Sequence, residues 1–312
     1  MKFVIKIPLH QVQPSGEFQT WEAAREMAEG LERSRAAACC LTDHPAPSAD
    51  WLHDDSGAHD AVDPFAGLAF VAASTRRLRL VTEVVILPYR NPFVTAKAAA
   101  TLQVLSNGRF ILGVGTGYLK AEFDALGVPF NERGALTDEA LQTIKLAWAG
   151  GPVVKRGRSF NAIGNEPRPA PSPPPLIWVG GGSDKAVERA ALWGDGWAPF
   201  FNIPSASNVV TDGAITTVAD LAQKIVRCKA IRGDSGKPGA FDISVTSPYF
   251  PEVYTPEAAE KLREILRELA SIGVTWFTMI LLAPSRKAYL ENLIWFDQEV
   301  MAHFAEGEGH EP

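Results

Sequence analysis

The chain has 312 residues, 46% of them hydrophobic and 21% charged, with a net charge of −6 at pH 7. That balance excludes wholesale disorder and a fibrous protein, and mild acidity argues against a general nucleic-acid or anionic-membrane binder. The three cysteines cannot all pair and Cys39 adjoins Cys40, so they read as small buried hydrophobes in a reducing, cytoplasmic setting.

At roughly 150 residues per domain the length suggests about two units, but one α/β barrel also reaches this size. The apolar run 3–9 is too short for a secretory signal core. No stretch of about eighteen apolar residues suggests a membrane span. The tail 306–312 reads as a frayed end.

Strand-length apolar runs alternate with helical patterns along the chain. The run 3–9 is followed by a helix over 20–35 and a small-residue strand over 36–42. A short helix over 63–75 carries Pro64 just inside its start, a favoured position. A β-branched strand over 78–87 ends at Pro88, an Ala-rich helix covers 93–105, and a fourth strand covers 109–114.

The second half repeats the scheme. Leu136, Ala140, Leu141, Ile144 and Trp148 fall on one helical face. A strand over 176–179 precedes a helix over 183–193, a short strand over 196–200 and a helix over 217–232. A strand over 241–246 leads to a helix capped by Thr255, with Pro256 in first position and Leu262, Ile265, Leu266 and Leu269 on one face. The last strand covers 274–282, and Tyr289, Leu293, Phe296 and Val300 mark the last helix. Eight strand–helix repeats without a composition break point to an α/β (β/α)8 TIM barrel in one domain over 1–312. A doubly wound open sheet is the alternative.

Two loops exceed ordinary connections. One spans 43–63. The other spans 150–175, with a small hairpin over 153–160 and then a stiff polyproline-like run. Long loops after barrel strands carry function, because ligands bind at the C-terminal strand ends.

Several residues could carry chemistry. Asp43-His44 directly follows the second strand, a rigid mount for a side chain that titrates near neutral pH. The plainer account is a loop histidine with a capping aspartate. His44, His53 and His59 with Asp54, Asp55 and Asp60 match no zinc spacing, so no metal is expected. Gly113, Gly115 and Gly117 leave a backbone bare at alternate positions, open to a flat ligand or a neighbouring strand. Tyr118 stands where a dinucleotide fingerprint wants its third glycine, so an NAD-binding Rossmann enzyme is a weak alternative. Gly180-Gly181-Gly182-Ser183 opens a helix, where free amides and the helix dipole suit a phosphate. The plainer account is a flexible turn with Ser183 as cap. Glu83 sits inside an apolar strand and reads as one outward-facing residue. Trp178, Trp193, Trp197 and Phe200 read as mostly core.

Taken in order, these segments resemble the luciferase-like monooxygenase superfamily, and more closely its branch using the deazaflavin coenzyme F420. The matching stretches are Thr42-Asp43-His44-Pro45, residues 80–84 running to Leu87-Pro88-Tyr89-Arg90-Asn91-Pro92, residues 102–109, Gly113 to Tyr118, Glu132-Arg133-Gly134, Ile177-Trp178-Val179-Gly180-Gly181 and residues 191–197. The resemblance implies a barrel with an insertion before the fifth strand, at about 150–175, and a ring-shaped cofactor across the strand ends. That cofactor is F420, with FMN as the alternative. It implies a non-proline cis peptide at Glu83–Val84 behind the ring, with Thr82, Gly115, Gly117 and Tyr118 beside it. Gly180, Gly181, Gly182 and Ser183 hold the phosphate. His44 moves a proton, and Asp43 orients the imidazole or binds the ring edge.

The activity so implied is hydride transfer to or from a small-molecule substrate by a homodimer. Tyr118 stands where sugar-phosphate dehydrogenases of this family place a glutamate, which argues against sugar phosphates. Gln103 stands where aspartate is common and reads as structural. An FMN-linked monooxygenase and a non-catalytic flavin-binding protein are the other readings.

Overall fold

The strands of this computed structural model close on themselves, and residues 1–9, 17–54, 61–201, 214–237 and 239–304 are described. His59, Asp55, Asp60 and the tail 306–312 lie outside the described residues, as does the side chain of Asp54. The barrel runs through β1 (Lys2–Lys6), β2 (Ala38–Leu41), β3 (Arg79–Thr82) continued by β4 (Val85–Ile86), and β5 (Phe110–Gly115). A two-stranded insertion, β6 (Val153–Arg156) with β7 (Asn161–Asn165), precedes β8 (Leu176–Gly180). The barrel then finishes with β9 (Gly196–Ala198), β10 (Asp242–Thr246) and β11 (Trp276–Met279). All its pairings are parallel; β11 returns to β1 with Phe277 opposite Phe3, and β3 meets β5 with Val81 opposite Ile111. Counting β3 and β4 as one broken strand, eight positions form a closed (β/α)8 barrel, so the open-sheet alternative falls.

Helices cover the outside: α1 (Trp21–Arg33), α2 (Ala49–Asp54), α3 (Pro64–Ser74), α4 (Pro92–Leu105), α5 (Lys120–Ala125), α6 (Arg133–Trp148), α7 (Asp184–Trp193), α8 (Val218–Asp234), α9 (Pro256–Ser271) and α10 (Arg286–Glu299). Polar caps start most of them. Thr20, Asp63, Asn91, Ser183, Thr255 and Ser285 each accept a backbone N–H in the first turn, and Thr217 forms a capping box with Asp220. Such a cap contributes about 1 kcal/mol.

Strand alternation divides the core. Phe3, Ile5 and Ile7 face the helices, whereas Val4, Ala38, Cys40, Val81, Ile111, Trp178, Ala198 and Trp276 pack together inside the barrel. Trp178 and Trp276 meet edge to face at 5.1 Å. All three cysteines are buried, and burial pushes the Cys39 thiol up to about 12 and Cys228 to about 11.

Some expectations change. The strand expected over 78–87 is interrupted between Thr82 and Val85, where the Glu83–Val84 bond is cis. The hairpin extends to Asn165, beyond the expected 160, because Val154 pairs with Ile163 and Arg156 with Asn161. The proline-rich run is not a uniform polyproline helix, since the Arg168–Pro169 and Ser172–Pro173 bonds are cis. Trp178 and Trp197 are core, but Phe200 is exposed. Gln103 is structural as expected: its side chain accepts from the Phe110 amide at 3.1 Å and donates to the Pro173 carbonyl at 3.1 Å.

The barrel wall leaves no room at Gly113, where a Cβ would stand 1.9 Å from the Thr82 carbonyl oxygen. Gly113→Ala is therefore expected to cost about 3 kcal/mol or more in urea unfolding. Gly233→Ala, in α8 with nothing within 4 Å of the added Cβ, should be neutral or stabilise by up to about 1 kcal/mol.

Candidate functional site

The C-terminal ends of β2, β4 and β5 bring together a cluster of polar side chains. Asp43 follows β2 and is only 2% exposed. Its carboxylate accepts both arms of Arg90, at 2.5 and 2.8 Å, and the Ile86 amide at 3.1 Å. A bidentate guanidinium plus a backbone amide fixes this carboxylate in place. Arg90 also reaches Asp63 at 3.4 Å.

His44 lies next to it, 9% exposed. Its Nδ1 stands 3.3 Å from Glu122 Oε2. Glu122 is 1% exposed and lies on α5, directly after the Gly-x-Gly strand end. The Tyr89 hydroxyl donates to the same oxygen at 3.0 Å, and the Ala46 amide donates to the other at 3.2 Å. Burial, and then the Glu122 carboxylate, push the Tyr89 phenol up from its ordinary value. It therefore stays protonated and donates across the neutral range. The Trp51 ring lies 4.9 Å from the imidazole at a 35° tilt, and Tyr118 stands edge-on at 6.4 Å. The acid against the imidazole is thus Glu122, where the sequence reading offered Asp43.

A second group forms the floor. Thr82 Oγ1 donates to the Gly113 carbonyl at 2.7 Å. Val84 fills the space that Cβ atoms on Gly115 and Gly180 would need, 2.6 and 3.1 Å from its methyls. Gly117, at φ +82°, leaves space for Ile86 and Phe123. Gly113 and Gly115 therefore admit the close approach of the neighbouring strand. Glu83 departs from the outward reading. Its Oε1 lies inside the barrel and accepts from Thr278 Oγ1 at 3.1 Å and Thr246 Oγ1 at 3.4 Å.

The third group stands at the start of α7. Gly181 has φ +103° and its carbonyl accepts from Trp197 Nε1 at 2.9 Å. Ser183 caps the helix by accepting from the Ala186 amide at 3.2 Å. This ten-residue helix points its N-terminal amides at the barrel mouth beside glycines, an arrangement that accommodates a phosphate. Among the described residues no group of histidine, cysteine, aspartate and glutamate is arranged for a metal, and no helix is long and apolar enough to cross a membrane.

Glu122, Arg90, Tyr89 and Trp51 were given no role from sequence. Arg90 was within reach, since Tyr89-Arg90 follows a proline at a strand end. Glu122 was not, because Lys120-Ala-Glu-Phe-Asp124 reads as an ordinary solvated turn of helix.

The luciferase-like monooxygenase family model matches residues 1–222. An uncharacterized protein of Mycobacterium tuberculosis (strain ATCC 25618 / H37Rv) is 33% identical over 186 residues, 60% of this chain and 59% of that protein. An F420-dependent glucose-6-phosphate dehydrogenase of Kineococcus radiotolerans is 37% identical over 161 residues, 50% of this chain and 46% of the enzyme. The chain thus spans about half the length of the curated relatives it matches. The crystal structure of monooxygenase RslO1 from Streptomyces bottropensis superposes with a TM-score of 0.74 at 22% identity, covering 98% of this chain and 100% of that one, a likeness of fold. With more than half of its length matched by the family model, the chain belongs to the luciferase-like monooxygenase family.

Proposed function

We propose that this chain is an oxidoreductase that holds coenzyme F420 at the barrel mouth and transfers a hydride between it and a small organic molecule. The observation that carries the reading is the buried Glu122 carboxylate against His44 Nδ1 at the strand ends. The stretch shared with an F420-dependent relative supports the deazaflavin. The resemblance also supports a homodimer, the unbroken strand–helix alternation a single domain, and the three unpaired cysteines a reducing, cytoplasmic setting.

Bound there, a deazaflavin supplies two-electron hydride chemistry. The chain's own residues then divide the remaining tasks. Val84, with the cis bond before it, makes an apolar floor for a flat ring, and Thr82, Glu83, Gly115, Gly117 and Tyr118 border it. Gly180, Gly181, Gly182 and Ser183 offer the N-terminus of α7 to a phosphate. His44 carries the proton, and Glu122 holds its imidazole in place. Asp43 serves the site by anchoring the strand ends, since both its oxygens are committed to Arg90. FMN with oxygen is a second reading, favoured by the monooxygenase description of the family.

Titration with F420 and FMN, each oxidised and reduced, followed by absorbance or fluorescence, tests the cofactor. The expected result is tight binding of F420 and weaker binding of FMN. Tight binding of reduced FMN with oxygen uptake would replace the reading by the monooxygenase. Cofactor binding without turnover across a substrate panel would leave a carrier protein.

Two variants probe the parts. Ser183→Asp keeps an equally good helix cap but sets a carboxylate where the phosphate would lie. F420 affinity is expected to fall about tenfold, with the unfolding midpoint unchanged. His44→Ala should lower turnover by about a hundredfold or more, read as single-turnover hydride transfer at saturating cofactor. A change in affinity alone would make His44 a packing contact.

A further inference from the structure

Trp197 is fully buried on β9, opposite Val179 of β8. Its neighbour Ala198 belongs to the cluster inside the barrel. Trp197 itself lies in the outer layer between the wall and the helices, in one cluster with Val187, Ala190 and Ala191 of α7. From there the indole reaches past the end of β8, and its Nε1 donates to the Gly181 carbonyl at 2.9 Å. A buried indole usually finds an acceptor, but burial alone does not secure one in this core. Trp178 Nε1 and Trp276 Nε1 are buried with no hydrogen-bond partner among the described residues.

The bond at Trp197 also fixes a peptide. Gly181 has φ +103°, a conformation open to glycine and rare for other residues. The Gly181–Gly182 bond is not among the cis peptides, and in a trans peptide the N–H points opposite to the carbonyl. With the carbonyl drawn to Trp197, the half-buried Gly182 is left with its amide aimed away from the buried layer. Among the described residues neither the Gly182 nor the Ser183 amide donates to a backbone carbonyl. The carboxylate of Asp184, next on this turn, is held by Lys224 at 3.1 Å and Arg227 at 2.7 Å from α8, which offsets its repulsion of an anion.

We infer that Trp197 is a positioning residue for a phosphate: its indole N–H holds the Gly181–Gly182 peptide so that the Gly182 amide donates to the anion at the start of α7. The inference rests on the phosphate placement proposed above. An amide held in place in advance loses less freedom on binding, so its hydrogen bond keeps more of its strength.

The test compares rings with and without a phosphate. F420 and FMN carry one, and deazariboflavin and riboflavin are their phosphate-free counterparts. Dissociation constants are read by fluorescence titration for the wild type and for Trp197→Phe, which keeps an aromatic ring but removes the donor. Trp197→Phe should weaken binding of the phosphorylated ring about tenfold and leave its counterpart within about twofold. Equal loss for both rings makes Trp197 a packing residue and overturns the inference. So does no loss for either, and so does a wild-type protein that binds neither phosphorylated ring. The wild-type choice between F420 and FMN judges the cofactor reading separately, because both carry the phosphate. Circular dichroism and thermal melting check the fold. If Trp197→Phe does not fold, wild-type protein labelled with nitrogen-15 glycine decides by NMR. The Gly182 amide resonance should then move with the phosphorylated ring and stay with its counterpart, and an equal response to both overturns the inference.

Discussion

Crowding between backbones at one point of the barrel wall organises the whole mouth. Between β3 and β4 the third barrel strand is displaced against β5, so close that Gly113 can carry no Cβ beneath the Thr82 carbonyl. Val84 then lies across Gly115 and Gly180, joining β5 and β8 beneath it. The displacement has polar consequences on both sides. It turns Glu83 into the barrel, within reach of Thr246 and Thr278. It also presents the Ile86 amide to Asp43, tying the end of β2 to β4. Three glycines thus position two carboxylates that lie on different strands.

The mouth is acidic in composition but most of its charge is assigned. Asp43 is neutralised by Arg90, and Glu122 takes donors from His44, Tyr89 and Ala46. Buried carboxylates are tolerated only when supplied in this way. Glu83 is met instead by the hydroxyls of Thr246 and Thr278, which carry no charge.

The architecture was readable because strand and helix periods differ, and because prolines and caps punctuate the chain. Pro64, Pro92 and Pro256 stand in the first turns of α3, α4 and α9, and Thr255 caps α9 as its sequence indicates. The break at Glu83 was not readable from alternation. Leu80 to Ile86 is an unbroken apolar run apart from Thr82 and Glu83, and nothing local separates a straight strand from one bent onto its neighbour. Glu122 was invisible for another reason. Its burial comes from Tyr89 and the segment after β2, which are 33 and 76–78 residues away in sequence. Lys6 was given no role from sequence, and it is the pairing of β11 with β1 that gives this strand an inner side.

The two acids near His44 differ in the donors they receive, and that difference orders their roles. Both oxygens of Asp43 meet a permanently charged guanidinium, and one also meets a backbone amide. The bidentate ion pair and the amide together fix Asp43 as an anchor for the strand ends. Among the described residues Glu122 has no such cation. Its donors are an amide, a phenol held protonated, and an imidazole whose charge is variable. When the imidazole gains a proton, the carboxylate already waits beside Nδ1 and the phenol needs no rearrangement. On the proposed reading, the chain therefore separates anchoring from proton handling by the chemistry of the donor each acid receives. Arginine makes Asp43 an anchor, and Glu122 is left to orient the histidine.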